Sequence, residues 1–230
     1  MKKIRYLSYC LLCLLVLSSY TNLFEYGLDI YETGHIHNNG SGQLEIAADL
    51  TKAEQLIKVA SLFTNITPDI AKESVQGVFS EVSDSLRRVS GISNVAATHD
   101  AEMLHFKLSF RFNSIKALNS AMHQLYTHVD HPGCTSFKMN HRSFVRTDTQ
   151  NIAQLLAYYY EKADPGIANM IPKSSLNVIT YNLAYRFDRK IKNTTNPLSS
   201  ISEDRFTLFL KQPIFDAYKE ELSLGNKIFF

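Results

Sequence analysis

Two segments of the chain place an apolar side chain at every second position, residues 103–112 and residues 178–187. Because successive side chains of a strand point to opposite faces, this alternation predicts two strands with one buried face and one solvated face. The apolar positions are Phe106, Leu108, Phe110 and Phe112 in the first segment, and Ile179, Tyr181, Leu183, Tyr185 and Phe187 in the second.

Weaker patterns predict further strands. Residues 24–37 and 43–50 flank the turn sequence Asn38-Asn39-Gly40-Ser41-Gly42, and Asn-Gly is a strong hairpin signal because both of its residues tolerate positive φ. We therefore expect these two segments to form a hairpin. Shorter strands are predicted at 92–98, 136–145, 206–210 and 227–230.

Apolar residues spaced three and four apart predict the helices. The best periodic segment begins at Pro68, where a missing N–H costs nothing, and stops at Gly91. Thr51 and Glu54 fit a capping box at the start of another helix, and Ser114 fits the cap of a third. Further helical patterns cover 152–159 and 217–222.

The order of these elements indicates an α+β protein, mainly antiparallel sheet with helices packed on one face. His, Pro and Gly interrupt the pattern near 128–134 and again near 164–173. The chain is therefore either one domain or two subdomains joined at one of those two places.

The N-terminus has the three parts of a secretory signal. Lys2, Lys3 and Arg5 precede an uncharged, mostly apolar run over 6–17, which small residues at 18 and 19 follow. We predict a signal peptide over 1–18 and an exported domain over 19–230. Cleavage after Ser19 is the neighbouring possibility, and an uncleaved N-terminal membrane anchor is the alternative.

Removal of the signal changes the charge and the cysteine content. The formal net charge of the whole chain is +2, but loss of three basic residues leaves 21 of the 24 basic side chains against 22 acidic ones, a net charge of −1. No cluster of like charges remains, which excludes a nucleic-acid-binding surface, and contact with a membrane is expected only if the N-terminus is retained. Cys10 and Cys13 leave with the signal, so Cys134 is the only thiol of the mature chain.

His128, His131 and Cys134 carry the residue types that zinc prefers. Pro132 and Gly133 between them also fit an ordinary turn, and the spacing is not one of the strong zinc motifs. The main expectation is therefore no cofactor, and the alternative is zinc bound by these three residues.

His35 and His37 share one face of the predicted first strand and form a second possible metal pair, although solvated polar residues on strands are far commoner. No serine-hydrolase elbow, zinc-protease motif or kinase signature occurs. This favours a protein that is not an enzyme, and no catalytic or cofactor-binding residue is predicted.

Several short motifs resemble those of a group of uncharacterised exported bacterial proteins, many of them lipoproteins. The motifs are Asn39-Gly40-Ser41-Gly42, Gly91-Ile92-Ser93-Asn94-Val95, Phe110-Arg111-Phe112 followed by Ala117-Leu118-Asn119, Lys190-Ile191-Lys192 with Asn196, and the closing segment from Ser223 to Ile228. The chain departs from the group in two places: Tyr20 stands where the lipidated cysteine would be, and Asn39 where an Asp is usual. The resemblance implies an exported α+β domain and carries over no catalytic residues.

These observations together predict an exported, non-enzymatic protein, periplasmic or on the cell surface, that binds an envelope or surface partner of unknown identity. Metal binding through the His/Cys cluster and anchoring by an uncleaved N-terminus are the alternative functions.

Overall fold

A computed structural model describes residues 28–49, 51, 68–100, 105–128, 135–148, 179–213 and 224–230. The predicted signal peptide, the helices predicted at 152–159 and 217–222, and both places where two subdomains could join lie outside these residues, apart from the backbone of His128. Thr51 is described, but the rest of the helix predicted to follow it is not.

The described part of the chain contains eleven strands and two helices. The strands are β1 (Leu28–Ile36), β2 (Gly42–Asp49), β3 (Ile92–Asp100), β4 (His105–Phe112), β5 (Thr135–Met139), β6 (Ser143–Asp148), β7 (Ile179–Phe187), β8 (Asn193–Thr194), β9 (Ser199–Ile201), β10 (Thr207–Pro213) and β11 (Asn226–Phe229). The helices are α1 (Pro68–Leu86) and α2 (Ile115–His128). The predicted α+β class is confirmed.

Two sheets form from these strands. The first has seven strands in the order β3-β4-β2-β1-β7-β10-β9, and the second has four in the order β5-β6-β11-β8. Every pair is antiparallel except β1 and β7, which run parallel from Leu28 beside Ile179 to Ile36 beside Phe187. This parallel pairing places the C-terminal ends of β1 and β7 side by side.

The core lies between the inner face of the seven-stranded sheet, the two helices and the four-stranded sheet. Phe79 of α1 packs on Phe106 of β4, with ring centroids 5.8 Å apart. Phe144 of the second sheet packs edge-on against Tyr185 and Phe187 of the first, at 5.8 and 5.3 Å. The alternating apolar residues predicted to be buried on β4 and β7 are confirmed at all eight positions whose side chains are described.

Local signals fix the ends of the helices. The helix predicted to begin at Pro68 does so, and Gly91 beyond its end has φ +83°. Ser114 caps α2 as predicted, because its Oγ accepts a hydrogen bond from the Ala117 N–H at 3.2 Å. Neither described helix is both long enough and apolar enough to cross a bilayer.

The predicted hairpin of β1 and β2 is confirmed, and one predicted strand proves to be two. The segment 136–145 is a hairpin rather than one strand, since Asn140 Oδ1 accepts hydrogen bonds from the N–H groups of Arg142 and Ser143 and reverses the chain. In the first hairpin only Gly40 has positive φ, and the Gly40 N–H donates to the His37 carbonyl at 2.9 Å. The loop is therefore longer than a two-residue turn.

Candidate functional site

Two histidines emerge from the end of β1 on its outer side. Because the Ile36 side chain is buried, that of its neighbour His35 points to the opposite, outer face of β1. His37 follows directly after the strand. Their ring centroids lie 4.5 Å apart, so the expectation that they share one face is confirmed.

Asp188 joins this pair because β7 runs parallel to β1. The register sets Phe187 beside Ile36, so the next residue, Asp188, comes beside His37. The His35 Nε2 atom lies 2.9 Å from Asp188 Oδ1, and His37 Nδ1 lies 3.0 Å from Asp188 Oδ2. We call these three residues the His-His-Asp cluster.

The surroundings keep the carboxylate ionised. Desolvation works against the charge, but hydrogen bonds from His37, His35 and the backbone N–H of Asn38 outweigh it and hold the pKa of Asp188 below its ordinary value. The side chains of His35, His37 and Asp188 keep 33%, 44% and 34% of their surface exposed, so solutes can reach the cluster.

Arg189 braces the loops around the cluster. Its Nε donates to Asn38 Oδ1 at 2.6 Å, and its Nη1 donates to the His141 carbonyl at 2.8 Å. Its guanidinium also lies over the Phe230 ring, 5.0 Å from the centroid. The β1–β2 loop, the β5–β6 turn and the C-terminus thus meet on one side chain next to Asp188.

The cluster offers three donor atoms, one from each side chain, and these atoms all lie within 4.8 Å of one another. Two imidazoles and one carboxylate make up the protein part of many zinc and non-haem iron sites. Among the described residues, the His-His-Asp cluster is the one group of three or more His, Cys, Asp or Glu side chains that could hold a metal ion.

The structure leaves the zinc site predicted from the sequence untested. His128 is the last residue of α2, but its side chain, like the whole of His131 and Cys134, lies outside the described residues. Zinc binding by those three residues stays a prediction.

A polar groove of about 400 Å³ lies on the outer face of the seven-stranded sheet, and His35 is one of the residues that line it. Cross-strand pairing sets Gln43 beside His35 and Arg111 beside Gln43, which forms one row across β1, β2 and β4. The polar side chains that line the groove are Thr33, His35, Gln43, Glu45, Asn94, Ser109 and Arg111.

Several of these side chains have no partner within the described structure. Glu45 pairs with Lys107 at 3.0 Å, but Gln43, Asn94 and Arg111 make no side-chain hydrogen bond or ion pair in the ranges described. Asn94 has φ +51° and lies where a β-bulge shifts the register of β3 against β4. Bulges re-aim side chains and are frequent beside functional sites, and Asn94 at this bulge lines the groove.

A second polar group is buried between the two sheets. Glu32 accepts hydrogen bonds from Arg146 at 2.7 Å and from the hydroxyls of Tyr181 and Tyr185. Arg146 also donates to the Tyr185 hydroxyl at 2.6 Å. Desolvation raises the pKa of Tyr185 well above its ordinary value, although Arg146 opposes the shift. These groups satisfy one another, so the cluster joins the sheets rather than facing a ligand.

Local sequence signals predict only part of this arrangement. The sequence predicts the His35/His37 pair and the strand alternation, whereas Asp188 and Arg111 become part of a site only through pairing between distant strands.

Comparison with known proteins assigns no family. No protein-family model matches the chain, and no curated protein matches it. Among solved structures, the folded domain of LppM from Mycobacterium tuberculosis, determined by NMR, is 6% identical and aligns over 91% of this chain and 92% of that chain, with a TM-score of 0.45. At this level of similarity the comparison transfers no ligand, partner or activity to this chain.

Proposed function

We propose that the protein is an exported, non-enzymatic binding protein of the cell envelope that holds a small polar ligand with an oxyanion group in the groove of the outer sheet face. The observation that carries the proposal is the set of Gln43, Asn94 and Arg111, whose side chains surround one open groove without partners among the described residues.

The chemistry of the groove favours a ligand with an anionic group. Glu45 is neutralised by Lys107, whereas the guanidinium of Arg111 makes no ion pair with any acid of the described residues. A guanidinium binds a carboxylate through two parallel hydrogen bonds. The amides of Gln43 and Asn94 and the hydroxyls of Thr33 and Ser109 supply both donors and acceptors for the rest of the ligand.

The same groups favour binding over catalysis. The groove is also lined by two side chains with acid–base groups, His35 and Glu45, and these are paired with Asp188 and Lys107. The amides, hydroxyls and guanidinium keep one protonation state around neutral pH, so they orient a ligand but do not transfer protons. They also stand on paired strands of a sheet, which hold a binding site more firmly than loops do.

Export rests on the N-terminal sequence, where three basic residues precede an apolar run of signal-peptide length. N-terminal sequencing of the protein recovered from cells tests it. A chain that starts near residue 19 supports export with cleavage, whereas an intact Met1 contradicts release as a soluble form and favours the anchored alternative.

Ligand binding is tested by NMR titration of the tag-free domain 19–230 with matched pairs of compounds, such as galacturonate with galactose and succinate with succinamide. Acidic members of the pairs should shift the amide signals of groove residues, and their neutral counterparts should bind at least about tenfold more weakly, as expected for a charge-assisted hydrogen-bond pair.

The matched variants are Arg111→Gln in the groove and Arg142→Gln in the β5–β6 turn, an exposed arginine outside the groove. Arg111→Gln should remove the preference for acidic compounds, and Arg142→Gln should leave it intact. Equal loss in both variants, or no response to any acidic compound, contradicts the proposal.

A further inference from the structure

We propose that His35, His37 and Asp188 bind one divalent transition-metal ion, zinc being the best fit, beside the groove that His35 also lines. This site differs from the one predicted at His128, His131 and Cys134, and it does not depend on the ligand of the groove.

The distances already approach those of a metal centre. Zinc bonds of about 2.0–2.2 Å in tetrahedral geometry place neighbouring donor atoms roughly 3.3 Å apart. The two histidine nitrogens lie 2.9 and 3.0 Å from the oxygens of Asp188, and no pair of donor atoms is separated by more than 4.8 Å. The donor atoms are therefore separated by at most about 1.5 Å more than this spacing.

The charges also favour a cation. Asp188 points its two carboxylate oxygens at the ring nitrogens of His35 and His37, at 2.9 and 3.0 Å, so oxygen and nitrogen donors converge on one place. The ring nitrogens that face the carboxylate must carry no proton when they bind a metal, so binding moves each ring proton to the other nitrogen or releases it to solvent. A dication then takes the position of the hydrogen-bonding protons between the rings and the carboxylate.

The donor types select among metals. Imidazole nitrogen suits zinc, copper, nickel and iron, whereas calcium and magnesium prefer sites made entirely of oxygen. Three protein donors leave at least one coordination position open, and the exposure of all three side chains lets water fill it.

The supporting groups are also present. The Asn38 N–H lies 3.3 Å from Asp188 Oδ2, and Arg189 fixes Asn38 through its side-chain oxygen at 2.6 Å. Such outer contacts orient metal ligands and reduce the cost of ordering them on binding. The ends of β1 and β7 are in turn held by their continuous parallel pairing.

The experiment is calorimetric titration of tag-free, chelator-treated domain 19–230 with zinc chloride. We expect one equivalent of zinc to bind at this site, and equimolar calcium or magnesium to leave the titration unchanged. Asp188→Asn and His37→Gln should each lower the affinity of this site for zinc by more than about 100-fold. Loss of a direct ligand costs more than the roughly 10–100-fold effect of losing an outer contact.

Three controls keep the outcome specific. His99→Gln replaces another exposed histidine, on β3, and should leave zinc affinity unchanged. His131→Ala removes a member of the sequence-predicted site and should also have no effect on this equivalent. Arg111→Gln, which disables the groove, should not alter zinc binding either, so the two proposals fail independently.

Circular dichroism and thermal melting of each metal-free variant establish that it folds. Zinc affinity that survives both Asp188→Asn and His37→Gln in folded protein overturns the proposal. The proposal is also overturned if the protein binds a single zinc ion and His131→Ala abolishes that binding.

Discussion

Arg146 donates a 2.7 Å hydrogen bond to Glu32 although the two residues lie 114 positions apart in the sequence, and their side chains are only 2% and 1% exposed. Glu32 lies on β1 of the large sheet and Arg146 on β6 of the small one. The pair therefore joins the two sheets through a buried contact between opposite charges.

Breaking this pair should be costly. Glu32→Gln leaves the guanidinium of Arg146 buried without its counter-charge, and we expect a loss of about 3–5 kcal/mol in the free energy of unfolding. Urea denaturation measures it. The matched control is Glu45→Gln, which breaks the exposed pair with Lys107 and should cost no more than about 1 kcal/mol. Similar losses in the two variants would contradict the buried role of Glu32.

Tyr185 should resist ionisation in the folded protein. Burial raises its pKa well above the ordinary value of 10.0, against the opposing effect of Arg146. A raised folded pKa gives stability that is complete below the pKa of the unfolded chain and is lost as pH rises above about 10. The free energy of unfolding should therefore fall in alkaline solution.

Absorbance of tyrosinate tests this prediction by comparing the natural chain with Tyr185→Phe. In native protein, both should ionise the same number of tyrosines around pH 10, because Tyr185 does not contribute. In denaturant, the variant should ionise one fewer. A difference already present in the native titration would show that Tyr185 is accessible to hydroxide.

Replacement of Gly42 and of Gly77 by alanine should change the stability of the protein in opposite directions. A Cβ at Gly42 would lie 2.2 Å from the His35 carbonyl oxygen and 2.7 Å from the Phe112 ring, whereas a Cβ at Gly77 meets nothing within 4 Å. Gly42→Ala should destabilise by at least about 1–3 kcal/mol through overpacking. Gly77→Ala, on α1, should stabilise by about 0.5–1 kcal/mol through reduced chain entropy. Thermal and urea unfolding measure both, and the same sign for the two would be inconsistent with this geometry.

Gln212 is buried on β10, and both polar atoms of its amide have no hydrogen-bond partner in the described structure. An unpaired buried amide costs stability, so Gln212→Met, which keeps the side-chain volume, should stabilise the protein by about 1–3 kcal/mol. The control is the buried Asn226, whose side chain accepts from the Asn196 N–H at 3.1 Å and donates to Ser199 Oγ at 2.8 Å. Asn226→Leu should destabilise, and a similar loss in Gln212→Met would mean that its amide is paired.

The sequence predicted elements whose signals are local. The strand predicted at 178–187 is observed from Ile179 to Phe187, and the helix starting at Pro68 begins at that residue. Alternation, proline position and capping depend on neighbours a few residues away, so they can be recognised without the fold. The missed turn at Asn140 is also local, but the apolar residues on both sides masked it.

The sequence could not predict pairings between distant segments. Nothing near Asp29 or Thr180 indicates that β1 and β7 run parallel, yet this register alone brings Asp188 to the two histidines. The burial of Glu32 could not be predicted for the same reason. An isolated acid in a strand is usually solvated, whereas Glu32 is buried beside Arg146. Candidate sites in this protein arise where strands meet, and strand order is not a property of any single segment.

The most direct test of the metal site is a crystal structure of zinc-soaked protein with anomalous data collected on both sides of the zinc absorption edge. We expect an anomalous peak within about 2.0–2.2 Å of His35 Nε2, His37 Nδ1 and one oxygen of Asp188, which are ordinary zinc bond lengths. A well-ordered structure in which zinc lies elsewhere, or in which Asp188 keeps both histidine hydrogen bonds at saturating zinc, would contradict it.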